Sequence, residues 1–238
     1  MPETGHAPNV ANFATMISFV TGYGAPYNPS NPLLDLAALQ AKLTSAQASI
    51  DGVSTTLAGS KVAINNRQNA FDGIRRLVTR VVNAFEVSGA PANAVEDAKG
   101  FKRKIDGKRA EALEDDPNTP EDESLGISVS QQSYTQLVEH FDNLIELLEA
   151  HPVYDPNESD LKVVTLTNLS TTLKAANTSV INSATTLSNA RLTRNEDLYA
   201  ETDGLVEIAD LVKKYVKSVF GADSPQFLQI TGLKFTTP

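Results

Sequence analysis

Apolar residues recur along this chain at intervals of three and four, the spacing that predicts amphipathic α-helices. One sustained heptad seam comprises Leu36, Leu39, Leu43, Ala46, Ile50, Val53 and Leu57. A second seam runs from Leu166 to Leu187 and carries few charges. Neither seam has the period of two expected of a strand. The sequence therefore predicts an all-α protein with two long helices.

Prolines and glycines predict where the other helices end. Short helices are predicted over 10–21 and 131–150, because prolines follow both and prevent their continuation. Turns are predicted at Asp72-Gly73 and at Ala200–Gly204, after the two long helices. These turns favour helical hairpins over two continuous rods.

Two further helices follow each predicted turn. The return helices are expected over 74–87 and 205–220, each ending just before a glycine. A short fourth helix is expected over 91–104, with proline in its first turn. Its counterpart begins in the same way near Pro225 and ends in an extended segment at 234–238.

The two halves of the chain present these features in the same order. Phe13–Val20 aligns without a gap with Phe141–Leu148, and each is followed by a Tyr-x-Pro loop at Tyr27 or Tyr154. The seam Leu36–Leu57 is aligned with Leu166–Leu187. Leucine patterning alone can converge, but it does not account for the matching loops and turns, so a tandem duplication is predicted.

The duplication predicts a domain organisation. A helical repeat of roughly 100 residues is expected over 10–104 and again over 129–238, joined by an acidic linker at 105–128. The repeats are expected to pack along their long helices as a pseudo-two-fold bundle, with each short helix beside its own long helix. Additional apolar residues on the second long helix are expected to face the other repeat: Val163, Val164, Val180 and Ile181.

Composition narrows the possible partners and the location. The 238 residues carry a net charge of −9, which disfavours nucleic acid and anionic membranes as partners. The absence of cysteine excludes thiolate metal sites and cysteine nucleophiles. No apolar run approaches the ~20 residues of a membrane-spanning helix, and no signal peptide is recognisable, so a cytoplasmic location is expected.

A polar cluster near the end of the second long helix is the first candidate site. It consists of Arg191, Arg194, Asn195 and Tyr199. Planar guanidinium groups suit an anion or a partner protein. The alternative is that the arginines pair with neighbouring carboxylates and cap the end of the bundle, and this alternative is favoured.

The second candidate is the one basic run of the chain. Its cationic residues are Lys102, Arg103, Lys104, Lys108 and Arg109. They could contact an acidic partner or a nucleic-acid backbone, although basic residues at the end of a helix commonly balance its dipole.

The C-terminal half resembles a group of uncharacterised all-helical bacterial proteins, mainly from Bacteroidetes. The residues that carry the resemblance are Ala190-Arg191, Arg194-Asn195, Leu198-Tyr199, Gly204–Val206, Lys213–Gly221 and Ser224–Phe227, and Gly107–Ala110 and Ser128–Ser133 extend it upstream. The group has no assigned activity, so the resemblance implies a helical fold and no particular chemistry.

No catalytic constellation is visible in the sequence. The histidines His6, His140 and His151 are scattered, and neither a nucleophile elbow nor a phosphate-binding loop is present. No enzyme activity, cofactor or metal is therefore predicted. The expected function is a structural or protein-interaction module, with an unknown protein partner or self-association. A lipid-surface-active protein and a carrier of a small ligand between the repeats are the alternatives.

Overall fold

The computed structural model describes residues 5–108 and 132–237, and the described residues form helices and no strand. The helices are α1 (His6–Gly22), α2 (Leu36–Phe71), α3 (Ile74–Val87), α4 (Ala92–Asp106), α5 (Tyr134–Glu149), α6 (Val163–Tyr199), α7 (Leu205–Phe220) and α8 (Pro225–Thr231). A single 3-10 turn, Pro32–Leu34, precedes α2. The prediction of an all-α chain is confirmed for these residues, and none of their helices is long and apolar enough to cross a membrane.

Both predicted turns interrupt the helices. Gly73 separates α2 from α3. Its backbone has φ 80°, a left-handed conformation that residues other than glycine rarely adopt. Gly204 lies so close to the preceding chain that a Cβ atom would come within 2.5 Å of the Ala200 backbone. The predicted bounds of α3 and α7 coincide with those observed, and the continuous-rod alternative is wrong.

The predicted ends of the other helices needed small corrections. α1 begins at His6 rather than at residue 10, since Pro8 lies in the first turn, where a missing N–H costs no helical hydrogen bond. α5 begins after Ser133, whose hydroxyl accepts a hydrogen bond from the Gln136 N–H. α4 extends to Asp106, because Ile105 is fully buried. The predicted linker from residue 109 onward lies outside the described residues.

The described chain forms two compact units that combine segments from both halves of the sequence. Unit 1 contains residues 5–61 and 183–237, and unit 2 contains residues 62–108 and 132–182. In unit 1, α1 packs against α7 and α8. In unit 2, α4 packs against both α3 and α5. The compact units thus do not follow the ranges 10–104 and 129–238, which remain predictions about sequence repeats.

This pairing corrects the expected packing of the short helices. Each short helix was expected beside the long helix of its own half, whereas α1 packs on α7 and α8, and α5 packs on α4, all from the other half. The physical reason is the length of the long helices. A continuous helix of 36 residues extends ~54 Å, so residues near its two ends belong to different cores, as Leu39 and Phe71 do.

Each unit has its own apolar core. The fully buried side chains of unit 1 include Phe13, Met16, Val20, Leu39, Leu198, Leu205, Val212, Val216 and Ile230. Those of unit 2 include Val78, Val81, Phe85, Ala98, Ile105, Phe141, Leu144, Leu166 and Leu173. Both long helices therefore contribute apolar residues to both cores.

Tyr27 and Tyr154 make the same contact in the two units. The Tyr27 hydroxyl donates to the Leu34 carbonyl at 2.9 Å, and the Tyr154 hydroxyl donates to the Leu161 carbonyl at 2.8 Å. Both rings are buried. Each bond closes the proline-containing loop that leads into a long helix, so the tyrosine anchors the loop to the core of its unit.

The buried residues of the two long helices have a different spacing from the one used in the sequence alignment. Leu39 and Ala46 are buried in unit 1, and Leu166 and Leu173 are buried in unit 2. These pairs are 127 positions apart, the same separation as Tyr27 and Tyr154, whereas the sequence alignment used 130. A shift of three residues is close to one helical turn, so a leucine seam fits both registers almost equally well.

The expectation for the extra apolar residues of α6 is wrong at two positions. Val164 is 63% exposed and Ile181 is 64% exposed, whereas Val163 is half-buried against the core of unit 2. Adjacent residues on a helix point ~100° apart, so one valine of a pair faces the core while its neighbour does not.

Because both units need both halves of the chain, we expect a fragment of residues 129–238 not to fold alone. It contains α7 and α8 without α1, and α5 without α3 and α4, so the apolar faces of both cores are left uncovered. The fragment should be molten, aggregated or dimeric by circular dichroism and light scattering. Mixing it with residues 1–108 should restore a sharp thermal transition. A monomeric fragment that melts like the whole protein would contradict this arrangement.

The tyrosine anchors predict a dependence of stability on pH. Burial, followed by the charges of Glu158 and Asp160, raises the pKa of Tyr154 from 10.0 to about 12. The hydroxyl thus stabilises the fold below about pH 10, and this contribution should disappear as the pH rises towards 12. Tyr154→Phe should lower the free energy of unfolding at pH 7 by about 1–2 kcal/mol, since the Leu161 carbonyl loses its donor.

The matched control is Tyr134→Phe, because the Tyr134 hydroxyl forms no hydrogen bond with the described residues and its ring can still lie over the Arg67 guanidinium. Chemical denaturation at pH 7 and at pH 10–12 measures both variants. An equal loss of stability in the two variants at pH 7 would argue against the tyrosine anchors.

Candidate functional site

A surface cleft in unit 2 is the candidate site. It lies between the C-terminal half of α3 and the loop that joins α5 to α6, and its volume is about 510 Å³. The residues that line it are Arg80, Asn83, Ala84, Val87, Ser88, Val153, Tyr154, Asp155, Pro156, Asn157, Glu158 and Leu161.

The amphipathic pattern of α3 positions one wall of the cleft. Val78, Val81 and Phe85 point into the core of unit 2, so the other face of the helix is available to the cleft. The opposite wall is the loop anchored by Tyr154, whose ring packs edge-on against Phe85 with centroids 5.9 Å apart. Both walls are thus attached to one core, and the cleft is held open by packing and by the tyrosine hydrogen bond.

Two valines expose apolar surface beside the cleft. Val87, at the end of α3, is 85% exposed, and Val153 is 46% exposed. A Cβ atom added to Gly89 would lie 4.0 Å from Val153 Cγ2, which places Val153 close to the chain that follows α3. Two exposed valines lining one concavity suit an apolar side chain of a ligand or partner.

The charged rim of the cleft is predominantly acidic. Arg80 donates hydrogen bonds to both carboxylate oxygens of Asp160. This contact lowers the pKa of Asp160 and raises the pKa of Arg80. Asp155 and Glu158 are exposed on the same loop, and neither carboxylate forms an ion pair within 4.0 Å among the described residues, although the charge of Glu158 adds to the raised pKa of Arg80. With Arg80 neutralised by Asp160, the rim keeps a net negative charge.

The polar cluster predicted on the second long helix lies in unit 1, apart from the cleft residues. Arg194 is 2% exposed, and its Nη2 donates to Asn195 Oδ1 at 2.9 Å. Arg191 and Asn195 are half-buried. The Tyr199 hydroxyl lies 2.7 Å from His6 Nδ1. Arg194 and Tyr199 therefore contribute to the interior of unit 1, and their role towards an anion or partner stays a prediction.

The basic run occupies the last turn of α4 and the residues after it. Lys102 pairs with Asp106 at 2.6 Å on the same helix. Arg103 and Lys104 are exposed in the last turn, and Lys108 is exposed after it. Arg109 lies outside the described residues. Cations in this position stabilise the C-terminal end of the helix dipole, which supports a structural role for α4.

The histidines do not assemble a metal centre among the described residues. No group of three or more His, Cys, Asp or Glu side chains in 5–108 and 132–237 could hold an ion. His140 is buried on α5, and neither ring nitrogen has a hydrogen-bond partner within that part of the chain. Burial, followed by the charge of Lys104, lowers the pKa of His140, while Glu139 opposes the shift.

Sequence reasoning did not identify Val87 and Val153 as site residues. Val87 follows the buried Phe85 by two positions and therefore lies off the apolar seam of α3. A valine off the buried seam could have been predicted to be exposed. Val153 adjoins the anchoring Tyr154 in a proline-containing loop, and only the packing of the loop against α3 brings it to the cleft.

Comparisons with protein-family models, curated proteins and solved structures found no match to this chain. The resemblance to the bacterial helical proteins accordingly stays a prediction.

The environment of His140 predicts an effect on stability. The lowered pKa means that the folded state favours the neutral ring, so stability should be lost as the pH falls below the ordinary value of 6.5. We expect His140→Leu to remove this acid dependence and to raise the free energy of unfolding at pH 7 by about 1–3 kcal/mol, because two unsatisfied buried nitrogens are removed.

His151→Leu is the control for this change. His151 Nδ1 lies 2.7 Å from the Leu147 carbonyl, and the ring is only partly buried, so its removal should not stabilise the fold. Urea unfolding at pH 5, 6 and 7 provides the measurement. An acid dependence that persists unchanged in His140→Leu would show that another group causes it.

Proposed function

We propose that this protein is a helical interaction module without catalytic chemistry, which binds a partner protein through the cleft of unit 2. The observation that carries the proposal is the pair of exposed valines, Val87 and Val153, beside a cleft with fixed walls. Burying one valine fully against a partner contributes ~1.5–3 kcal/mol. The cleft therefore suits an apolar side chain presented by the partner.

The charge of the rim supports a specific kind of partner. Asp155 and Glu158 extend the acidic surface of the loop, and the whole chain carries a net charge of −9. A segment with an apolar anchor flanked by lysine or arginine would be attracted to such a rim and would place its anchor against the valines. We therefore propose a basic, apolar-anchored segment as the occupant.

A tandem duplication is part of this proposal. The matching anchors of Tyr27 and Tyr154 support it, as do the breaks that follow both long helices. With the alignment at 127 positions, Arg67 corresponds to Arg194 and Phe71 to Leu198. The loop of unit 2 carries Asp155 and Glu158 where the corresponding positions of unit 1 carry Asn28 and Asn31, so binding of a basic segment is proposed for unit 2 alone.

Site-specific photo-crosslinking tests the proposed surface. A photoreactive amino acid is placed at position 153 of the full chain in one protein and at position 164 in another. Val164 is the matched control, because it is also an exposed valine of unit 2 and does not line the cleft. We expect cross-links to a basic partner segment from position 153 and not from position 164.

The variant Val87→Asp then tests whether the contact is apolar. It should reduce capture of the cross-linked partner at least tenfold, whereas Val164→Asp should leave capture unchanged. Helical circular dichroism verifies the fold of both variants. Equal capture by the two variants, or a partner bound through an acidic segment, would contradict the proposal.

A further inference from the structure

An extended segment after α8 is held in unit 1 by hydrogen bonds to its main chain and by two half-buried apolar side chains. Residues 233–237 form neither helix nor strand, and their burial alternates, with Leu233 and Phe235 half-buried and Lys234 and Thr236 exposed. This period of two indicates an extended backbone. Leu233 and Phe235 pack against the core of unit 1, so the segment presents an apolar–x–apolar pattern to the protein.

Three side chains bind the main chain of this segment. Asn9, on α1, forms a two-point contact with Thr236: its Nδ2 donates to the carbonyl at 2.7 Å, and its Oδ1 accepts from the N–H at 3.0 Å. Asn12 Nδ2 donates to the Lys234 carbonyl at 2.7 Å. Lys213, on α7, donates to the Leu233 carbonyl at 2.6 Å. Together Asn9, Asn12 and Lys213 form what we call the α1–α7 groove.

The groove contacts groups that every peptide carries. The Asn9 amide presents a donor and an acceptor to one residue, as a neighbouring strand would. The side chains of Lys234 and Thr236 are exposed, so the contacts select only the two apolar positions. Lys213 Nζ also lies 5.1 Å from the centroid of the Phe235 ring, which favours an aromatic residue at the second apolar position.

Unit 2 offers a comparison, because its short helix α5 is covered by a helix and not by an extended segment. The alignment of Phe13 with Phe141 places Leu137 and His140 at the positions of Asn9 and Asn12. There α4 remains helical to Asp106, so its backbone satisfies its own hydrogen bonds. An extended backbone has no internal partners, and unit 1 provides amide side chains for it. Asn9 and Asn12 thus provide the hydrogen-bond partners that an extended peptide main chain needs.

The segment can leave the groove without disrupting α8. That helix is held independently, because Ile230 is fully buried and the Tyr23 hydroxyl donates to the Gln226 carbonyl at 2.8 Å. Gly232 separates α8 from the segment and is exposed. Release of residues 233–237 therefore requires the loss of four hydrogen bonds and two half-buried side chains, a local opening rather than unfolding of the unit.

We propose that the α1–α7 groove is a binding site for extended peptide segments of partner proteins with an apolar–x–apolar sequence, and that residues 233–236 occupy it as an in-chain competitor. All residues of the groove belong to unit 1 and those of the cleft belong to unit 2, so the proposal for the groove can be tested separately from the proposal for the cleft. A partner must compete with a segment whose effective concentration is of millimolar order, which makes release of the segment a point of control.

Binding of a labelled peptide to the full chain tests the proposal. The probe is a fluorescent peptide with the sequence of residues 230–237, measured by anisotropy. In Leu233→Ser/Phe235→Ser, the in-chain competitor is weakened and the groove is intact. We expect saturable binding to this variant at least tenfold tighter than to the unmodified chain. A control peptide with serine at both apolar positions should not bind.

A further substitution assigns the binding to the groove. Adding Asn12→Ala to the double variant should weaken binding of the probe at least threefold, since one carbonyl loses its donor. Asn28→Ala is the matched control, because only its backbone N–H, and no side-chain atom, is bonded among the described residues. No saturable binding, or binding that Asn28→Ala weakens as much as Asn12→Ala, would overturn the proposal.

Hydrogen exchange provides a test without any substitution. The Thr236 amide donates to Asn9 Oδ1, so excess unlabelled peptide should accelerate its exchange in the unmodified protein by displacing it. Unchanged exchange at saturating peptide would overturn the proposal. A concentration-dependent dimer that Leu233→Ser/Phe235→Ser abolishes would identify the occupant as the segment of a second copy, and would overturn the assignment to a partner protein.

Discussion

The two long helices impose the constraint on which the rest of the structure depends. α2 and α6 contain 36 and 37 residues without a break, and each contributes to two separate apolar cores. Leu39 of α2 is buried in unit 1 and Phe71 in unit 2, while α6 contributes Leu166 to unit 2 and Leu198 to unit 1. The short helices then pack at the end of a long helix where a partner from the other half is available.

This arrangement makes the loops before the long helices important for both cores. Each loop must bring the chain from a short helix to a long one at a fixed place, and a buried tyrosine hydroxyl fixes that place by binding a loop carbonyl. The rings also contact the return helix of the other half, where Tyr27 packs edge-on against Tyr215 and Tyr154 against Phe85. The cleft of unit 2 is a consequence, because a loop anchored in this way leaves a concavity beside α3.

The two units differ in how they satisfy the backbone hydrogen bonds of the segment that covers their first short helix. Unit 2 covers α5 with a complete helix, whose backbone groups bond to each other. Unit 1 covers α1 with a short helix and an extended segment, whose carbonyls need external donors. Asn9, Asn12 and Lys213 provide these donors. Asn9 and Asn12 of α1 and the matching Leu137 and His140 of α5 therefore differ in keeping with the secondary structure of the segment that lies on each helix.

Features that depend on neighbours along the chain were predictable from the sequence. Helical spacing predicted α2 and α6, and Asp72-Gly73 and Ala200–Gly204 predicted their ends. Only the folded chain shows which helices of the other half α1 and α5 pack against, which leucines of the long helices are buried, and that Val87, Val153 and Val164 are exposed. Turns and helix caps arise from contacts within a few residues, which a sequence displays directly. A seam of leucines can pack against different apolar faces at nearly the same energy. Its packing partner therefore depends on which apolar faces the long helices bring within reach.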